Sequence, residues 1–309
     1  SMKPTVSDLE QVVVIGYGTA KKKDVTGATV SVKGETLREL GSPNVYNQLQ
    51  GRAAGIDIVN NSSSIGTGGE IRIRGNRSLA SGTSANNAQN GPLIVIDGIP
   101  LSGGSINDIN PNDISTIDVL KDASATAIYG SRGSGGVIII TTRRGRQGKP
   151  VTSYDGYIGM SEAMNTYKLF SGQEYAAFKD AAKQGQPNPN NPNPNALTPI
   201  EQENLAKGVN TDWQNLLLTT AIRTDHNVSV VGGNETTLYS FGFGVFRETG
   251  IIPDQRFDRG SFHIAIDHKM SERLKVGLTT TNTMSWANRI NTSALGAATR
   301  LSPLYLPYN

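Results

Sequence analysis

The segment INDINPNDISTIDVLKDASATAIYGSRGSGGVIIITT, from Ile106 to Thr142, holds two β-branched apolar runs on either side of a segment rich in alanine and serine. The runs Ile114–Leu120 and Val137–Thr142 are predicted strands, because short β-branched stretches bounded by turn residues are typical of buried strands. The intervening DASATAIYGSRG predicts a helix, whose start would be capped by Asp122 or Ser124. The order strand, helix, strand indicates a mixed unit.

The sequence ahead of this segment extends the mixed pattern. Asn44–Ala54 predicts a short helix, because its apolar residues recur at helical spacing and a glycine follows. Three β-rich runs predict further strands: Ile56–Val59, Glu70–Arg74 and Leu93–Asp97. We therefore expect an α+β domain over residues 21–150, with a small mixed sheet and short helices.

A different pattern follows residue 150, where strands alternate large apolar residues with small or polar ones. In TLYSFGFGVF, Phe241, Phe243 and Val245 alternate with serine and glycine. The clearest such strands are Thr237–Phe246, Ser261–Asp267 and Lys275–Thr283. Strands of about 9–11 residues with this alternation are typical of lipid-facing barrels.

The links between these strands alternate in length. A long insertion, Ala163 to about Ile222, precedes a tight turn at Gly232–Glu235, and the loop Thr249–Arg259 precedes a tight link around Lys269–Arg273. Long loops on one side and short turns on the other are the signature of outer-membrane barrels. Residues 151–309 are therefore predicted to be antiparallel strands of a truncated transmembrane β-barrel.

The composition narrows the function classes. The sequence has no cysteine, which excludes disulfides and Cys-ligated zinc, and its net charge of +3 is too small to indicate nucleic-acid binding. No histidine or nucleophile accompanies Asp97, Asp118 and Asp122 in a recognised catalytic spacing, so these aspartates are interpreted as turn and cap residues. His226 and the pair His263 and His268 do not have the spacing of a metal site. We predict no catalytic residue, metal or cofactor.

Several segments together resemble the SusC/RagA family of TonB-dependent transporters of Bacteroidota. The resemblance rests on VVVIGYGTAKKKDVTGA, IRIRG, PLIVIDGIP and the long central run, with TDWQNLLL, NVSVVGG and DHKMSERLKVG in the later part. It implies a plug domain that gates a barrel of about 22 strands in the outer membrane. It also implies TonB energised by ExbB and ExbD, a SusD-like surface lipoprotein, outer-membrane lipid, and a glycan or peptide substrate.

The resemblance assigns a role to the first residues, an N-terminal arm over residues 1–20. The sequence Val12, Val13, Val14, Ile15, Gly16, Tyr17 looks like the TonB box, an extended segment that adds to the sheet edge of a partner. The alternative is an ordinary first strand of the plug sheet.

Two further sites are implied within the plug. Arg74 and Arg132 match family arginines that pair with barrel glutamates, and Arg72 shares a predicted strand face with Arg74, so these three form the predicted plug–barrel latch. The loop after Arg74 is expected to face the ligand through these residues: Asn76, Arg77, Ser78, Asn86, Asn87 and Asn90.

The sequence predicts active import of an oligosaccharide or peptide, with a soluble or surface β-rich binding protein as the alternative. The start Ser1-Met2 and the Pro-rich end lead us to expect a piece of a longer protein, with the latch glutamates on strands outside it. An open sheet of about five strands would have edges that cannot face lipid. We therefore expect these strands to be poorly ordered or unusually packed.

Overall fold

The structure is a computed structural model that describes residues 12–15, 18–21, 29–38, 44–59, 65–75, 91–101, 106–122, 126–183, 197–289 and 293–307. In chain order the strands are β1 (Val12–Ile15), β2 (Gly18–Lys21), β3 (Thr29–Lys33), β4 (Ile56–Val59), β5 (Glu70–Ile73), β6 (Leu93–Ile96), β7 (Ile99–Pro100), β8 (Ile114–Leu120), β9 (Val137–Thr142), β10 (Gly148–Ser161), β11 (Ala221–Gly233), β12 (Thr237–Thr249), β13 (Arg256–Lys269) and β14 (Lys275–Asn288). The helices are α1 (Gly34–Arg38), α2 (Val45–Leu49), α3 (Gly172–Lys183), α4 (Pro199–Ala206), α5 (Trp213–Leu217) and α6 (Ser293–Ala298).

The plug sheet has the strand order β3-β8-β9-β6-β7 and is mixed, as predicted. β8 pairs antiparallel with both β3 and β9, whereas β6 pairs parallel with β9. β9 is central, and Val137, Ile138, Ile139 and Ile140 are almost fully buried. A run of four buried β-branched residues covers both faces of the strand, so helices and loops must pack on each side.

Short helices and turns cover the plug sheet. α2 begins where the Oδ1 of Asn44 accepts a 2.8 Å hydrogen bond from the Tyr46 backbone N–H, and it ends at Leu49, earlier than predicted. Within the predicted helix DASATAIYGSRG, Thr126 is α-helical and Ala127–Gly133 is a 3-10 segment interrupted by the positive φ of Gly130, whereas positions 123–125 are outside the described residues. Thr126 is the N-cap of the 3-10 segment, and its backbone N–H donates to the carbonyl of Asp122 at 3.1 Å. The other predicted cap, Ser124, lies outside the described residues.

The aspartates interpreted as turn and cap residues differ in location. Asp97 occupies a turn with positive φ, and its carboxylate accepts hydrogen bonds from Thr142 N and Oγ1 at 3.0 and 2.6 Å. Asp118, however, is buried in the middle of β8, opposite Ser31, so its interpretation as a turn or cap residue was wrong.

Two small antiparallel pairs form sheets of their own, separate from the plug sheet. β4 pairs with β5, and β1 pairs with β2. β5 ends at Ile73, because Arg74 adopts a left-handed conformation with φ 59°. The prediction that Arg72 and Arg74 share one strand face was therefore wrong.

The wall sheet consists of β10 to β14, paired in sequence order as an antiparallel meander. Phe241, Phe243 and Val245 of β12 are exposed, whereas Gly242 and Gly244 between them are buried. The predicted alternation is therefore present, with the large apolar side chains outward. The regular pairing differs from the unusual packing that we expected.

The links between wall strands follow the predicted order of lengths. The turns of residues 234–236 and 270–274 are short, and the loop between β12 and β13 spans residues 250–255. The loop between β12 and β13 is shorter than predicted, because β12 ends later and β13 begins earlier than the sequence indicated.

The chain forms two compact units. The first comprises residues 1–158, 224–247 and 258–286, and it contains the plug sheet and most of the last four wall strands. The second comprises residues 159–223, 248–257 and 287–309. In the second unit α4 starts with a capping box between Thr198 and Glu201, and Asn204 Nδ2 donates a 2.7 Å hydrogen bond to the carbonyl of Leu304. The long insertion predicted only as a loop is thus partly helical.

None of the helices among the described residues is long and apolar enough to cross a membrane.

Candidate functional site

A short segment of the plug, Asn110–Asp113, contacts the wall sheet, and we call it the clasp turn. Pro111–Asp113 is a single 3-10 turn that leads directly into β8, and proline at its first position suits a helix start. Asn110 caps it by accepting a 3.0 Å hydrogen bond from Asn112 N. The Oδ1 of Asn110 is thereby used within the turn, and its Nδ2 is left to donate outward.

Asn110 Nδ2 donates to two wall residues on different strands. One acceptor is the Oδ1 of Asn227 on β11 at 2.7 Å, and the other is the Oγ of Ser261 on β13 at 2.8 Å. Asn227 is itself oriented by donating a 2.8 Å hydrogen bond to Asp225 Oδ1. All four side chains are buried, so each lost hydrogen bond would leave a buried polar group unpaired, at a cost of about 1–3 kcal/mol.

Two glycines of β12 make room for the clasp turn. A Cβ at Gly244 would collide with Asn110 Nδ2, Asn227 Oδ1 and Ser261 Oγ. A Cβ at Gly242 would lie 2.5 Å from Asp113 Oδ1. The small residues that the alternating pattern places on the inner face of the wall sheet therefore form the seat of the plug.

Asp113 is the charged residue of the clasp turn. Its side chain is 5% exposed, and its Oδ2 is buried without a hydrogen-bond partner in the part of the chain that the structure describes. Burial raises the pKa of the Asp113 carboxyl above its ordinary value, while His263, Arg143 and Arg259 act in the opposite direction. Desolvation outweighs the three neighbouring groups.

His263 on β13 links the plug to a further wall strand. Its Nε2 lies 3.0 Å from the carbonyl oxygen of Arg143, and its Nδ1 lies 3.1 Å from the Oγ1 of Thr281 on β14. Because a carbonyl only accepts, Nε2 carries the hydrogen. The imidazole of β13 thus contacts both the plug residue that follows β9, Arg143, and the wall strand β14.

Arg259 completes this polar interior of the wall. It is 4% exposed, and its guanidinium carbon lies 5.4 Å from the centre of the Phe246 ring. Together with Asp225 it places buried charge on the inner face, where a lipid-facing strand carries its polar residues. The interface is therefore held by hydrogen bonds and charges that water can replace when the surfaces separate.

Two of the three predicted latch arginines have partners within the plug. Arg72 donates from Nε and Nη2 to Glu70 at 3.2 and 2.9 Å, and Arg74 forms an ion pair with Asp122. Arg132 is exposed. Their pairing with barrel glutamates stays a prediction, and the contacts between plug and wall described above come from other residues.

The predicted TonB box is partly described. Val12–Ile15 pairs with Gly18–Lys21 in a two-stranded sheet separate from the plug sheet, with Val12 opposite Lys21. It is therefore not the first strand of the plug sheet, which was the alternative interpretation. Gly16 and Tyr17 lie outside the described residues, as do all six residues of the predicted ligand-facing loop: Asn76, Arg77, Ser78, Asn86, Asn87 and Asn90.

The remaining histidines lie apart from the clasp turn. His226 Nδ1 is 2.7 Å from the hydroxyl of Tyr154, and His268 Nδ1 is 2.7 Å from Thr237 Oγ1. Within the described ranges, no group of three or more His, Asp or Glu side chains could hold a metal ion.

The sequence reasoning missed the clasp turn and its partners. A signal was present, because NPND begins with an asparagine and a proline suited to a capped turn and precedes a buried strand. Gly242 and Gly244 were noted only for alternation. Nothing local in the sequence says that these glycines face Asn110.

Comparison with known proteins gives a consistent result. Residues 21–137 match the family described as TonB-dependent Receptor Plug Domain. The chain is similar to the TonB-dependent receptor SusC of Bacteroides thetaiotaomicron, with 39% identity over 266 residues that cover 84% of this chain and 24% of that protein. It is similar also to the TonB-dependent receptor P3 of Formosa agariphila, with 34% identity over 290 residues, 93% of this chain and 26% of that protein. The chain thus spans about a quarter of the length of these relatives.

Solved structures show the same fold. The RagAB peptide importer in its open-open state matches with a TM-score of 0.77 and 27% identity, covering 91% of this chain and 33% of that one. The unliganded ferric citrate transporter FecA matches with a TM-score of 0.54 and 16% identity, covering 90% of this chain and 34% of that one. The latter likeness concerns the fold alone.

Proposed function

This chain belongs to the TonB-dependent receptors of the SusC/RagA type, which are outer-membrane proteins, and from that premise we propose that it supplies the plug and first wall strands of a nutrient importer. Its relatives are receptors and transporters rather than enzymes. The import activity that we propose is that of the whole protein, of which this chain would form the plug and the first wall strands.

The observation that carries the proposal is the seat of the clasp turn on the wall sheet. A plug that gates a barrel must be held closed and must also be able to move. Asn110 is bonded to Asn227 and Ser261 through neutral hydrogen bonds, each worth about 0.5–1.5 kcal/mol net. Such bonds hold the plug in place, yet water can replace them when an external force opens the gap.

The energy for that opening would come from TonB, driven by ExbB and ExbD. Val12–Tyr17 would be the TonB box, in an arm over residues 1–20 that precedes the plug domain of residues 21–150. Support comes from the pairing of Val12–Ile15 outside the plug sheet, which leaves the sheet intact if this segment joins a partner. Residues 151–309 would contribute wall strands and loops of the barrel, whose first strand begins at Gly148.

The cargo would be an oligosaccharide or a peptide, captured together with a SusD-like surface lipoprotein. One structural relative, RagAB, is a peptide importer. The proposed site for cargo includes the loop that carries Asn76, Arg77, Ser78, Asn86, Asn87 and Asn90. Arg72, Arg74 and Arg132 are proposed to bind wall glutamates when the barrel is complete.

The second candidate is a soluble or surface-exposed binding protein. The wall sheet disfavours it, because Phe243 is 57% exposed and Phe262 is 42% exposed while His263 and Arg259 are buried. A soluble sheet would place these groups the other way round. Lipid is the solvent in which this arrangement is stable.

The test uses the full-length gene product in its native host. The tagged protein is extracted from the outer membrane with detergent, and co-purifying proteins are identified by mass spectrometry. We expect a surface lipoprotein to co-purify, and growth on the cargo to be lost in a tonB deletion strain. Recovery from the soluble fraction, with no such partner, would favour the binding protein.

A pair of variants at one position tests the TonB box. Val14→Pro removes a backbone N–H and should abolish uptake without lowering the amount of receptor in the membrane. Val14→Ile keeps the strand and should support uptake. Equal uptake by both variants would show that Val12–Tyr17 is not the segment through which TonB drives uptake.

A further inference from the structure

A cavity of about 570 Å³ between the plug sheet and the wall sheet is strongly basic. Five cationic side chains line it, together with one carboxylate, that of Glu35. The cationic residues are Lys33, Arg38, Arg143, Arg144 and Arg146. Its volume is within the range of small-molecule sites, about 300–1,000 Å³.

Arg38, at the end of α1, is a partly buried cation of this set. Its Nη1 is buried and has no hydrogen-bond partner in the described part of the chain. The pKa of Arg38 is lowered from its ordinary value, first by burial and then by the like charge of Arg143, while Asp155 and Glu35 oppose this. Two guanidinium groups that repel each other, those of Arg38 and Arg143, therefore line the same cavity.

Arg144 differs, because it already has a partner. Its Nη1 lies 3.3 Å from Asp267 Oδ1 on β13. Arg38 and Arg143 are the two cations of this cavity whose like charges act on each other. An anion placed between these two would screen the repulsion, which makes charge-assisted pairing favourable there.

The wall residues of the cavity supply hydroxyl groups, and their positions show at which end of the wall sheet the cavity lies. Ser153 on β10 and Ser229 on β11 supply hydroxyls, beside Val151 and Val231. Val231 lies close to the short turn of residues 234–236, so the cavity is at the short-turn end of the wall sheet. In outer-membrane barrels that end faces the periplasm.

We propose that this cavity binds the carboxylate group of an anionic cargo as it leaves the gap between plug and wall. The planar fork of an arginine matches a carboxylate with two parallel hydrogen bonds, and Arg38 and Arg143 present two such forks. The inference rests on the proposed import function for the source of the anion. Beyond that function, it specifies that the imported molecule carries a carboxylate group.

The experiment is a calorimetric titration of the purified full-length gene product in detergent. The probes are digalacturonate, its neutral counterpart galactobiose, and sodium sulfate. The variants are Arg38→Gln and Arg143→Gln. Lys207→Gln is the matched control, because Lys207 is an exposed cation that pairs with Glu203 of α4 and is not among the residues that line the cavity.

We expect digalacturonate to bind the native protein and to bind each arginine variant about 10- to 100-fold more weakly, as loss of a hydrogen bond to a charged group predicts. Lys207→Gln should bind like the native protein, and galactobiose should give no measurable heat. If the glutamine variants do not fold, Arg38→Lys keeps the charge and should lose several-fold in affinity, because the fork is lost.

Equal affinity of the native protein and a folded Arg38→Gln variant would overturn the assignment, as would equal binding of galactobiose. Binding of sulfate without digalacturonate would make this a site for inorganic anions and would overturn the cargo class. The titration needs neither TonB nor transport. A negative titration with intact TonB-dependent uptake would therefore remove only this inference, whereas loss of TonB dependence would remove the proposed function.

Discussion

Asn110 in the plug donates a 2.7 Å hydrogen bond to Asn227 in the wall, and the two residues are 117 positions apart in the sequence. The bond is buried, and Asn110 contributes a second one to Ser261 at 2.8 Å. It joins two regions of the chain that must separate if cargo is to pass between them. Substitutions at this interface and on the faces around it have distinct expected effects.

A double-mutant cycle measures the strength of the Asn110–Asn227 contact. Each single alanine substitution should lower the free energy of unfolding by about 1–3 kcal/mol, because it leaves a buried polar group unpaired. The double variant should lose less than the sum of the two, with a coupling energy of about 0.5–3 kcal/mol in urea titrations. Simple additivity would mean that the two side chains do not interact in solution.

The seat of the clasp turn is tested by adding one methyl group. Gly244→Ala should destabilise the protein by about 1–3 kcal/mol, because the new Cβ would collide with Asn110, Asn227 and Ser261. It should also make cells more sensitive to a large antibiotic that enters through a leaking barrel. Gly260→Ala is the control, since a Cβ there would meet no atom within 4 Å. Similar effects of the two variants would contradict the proposed seat.

Asp113 should make stability depend on pH. The raised pKa of its carboxyl means that the folded protein binds a proton more tightly than the unfolded chain does. Its contribution is therefore fully present below the unfolded pKa of about 3.9, and it is lost as pH rises through the higher folded pKa.

Asp113→Asn should remove this contribution and flatten the dependence of the urea midpoint on pH above the unfolded pKa. Asp254→Asn, in the exposed loop between β12 and β13, removes the same charge and should leave the pH dependence unchanged. An unaltered slope in Asp113→Asn would show that other groups set the pH dependence.

Introducing a charge on the outer face of the wall sheet tests whether that face contacts lipid or water. Phe243→Arg should reduce recovery of the folded receptor from the outer membrane, because arginine near the bilayer midplane costs a barrel about 2–4 kcal/mol. Phe178, in α3, is 56% exposed against 57% for Phe243, so Phe178→Arg is a control of equal exposure. Folding is read from the gel mobility of unheated samples. Full recovery of Phe243→Arg would support the soluble alternative.

The sequence predicted the elements that depend on local pattern. The β-branched run of β9 and the alternation of Phe241, Gly242 and Phe243 carry their own signal, since period and composition are local properties. Elements that depend on distant partners were harder. The second half of the helix predicted in DASATAIYGSRG is a 3-10 segment, Ala127–Gly133, which the positive φ of Gly130 interrupts.

The residues of the candidate site were harder to predict than the strands, because their partners are distant in the sequence. The latch was assigned to arginines by resemblance, yet the observed contacts between plug and wall use Asn110, Asp113 and His263. Which asparagine meets which glycine depends on the register of strands more than 100 residues away. No short-range pattern encodes such a pairing, so only the assembled fold identifies it.

The position of β3 at one edge of the plug sheet has a mechanical consequence. A tension applied to the chain ahead of Thr29 would load β3 first, and its ladder to β8 could open at successive residue pairs in turn. Peeling in this way needs less force than shearing a whole strand, because a single pair carries the load at a time. α1 follows β3 directly, so the same pull would draw Arg38 out of the basic cavity and discharge whatever anion it held.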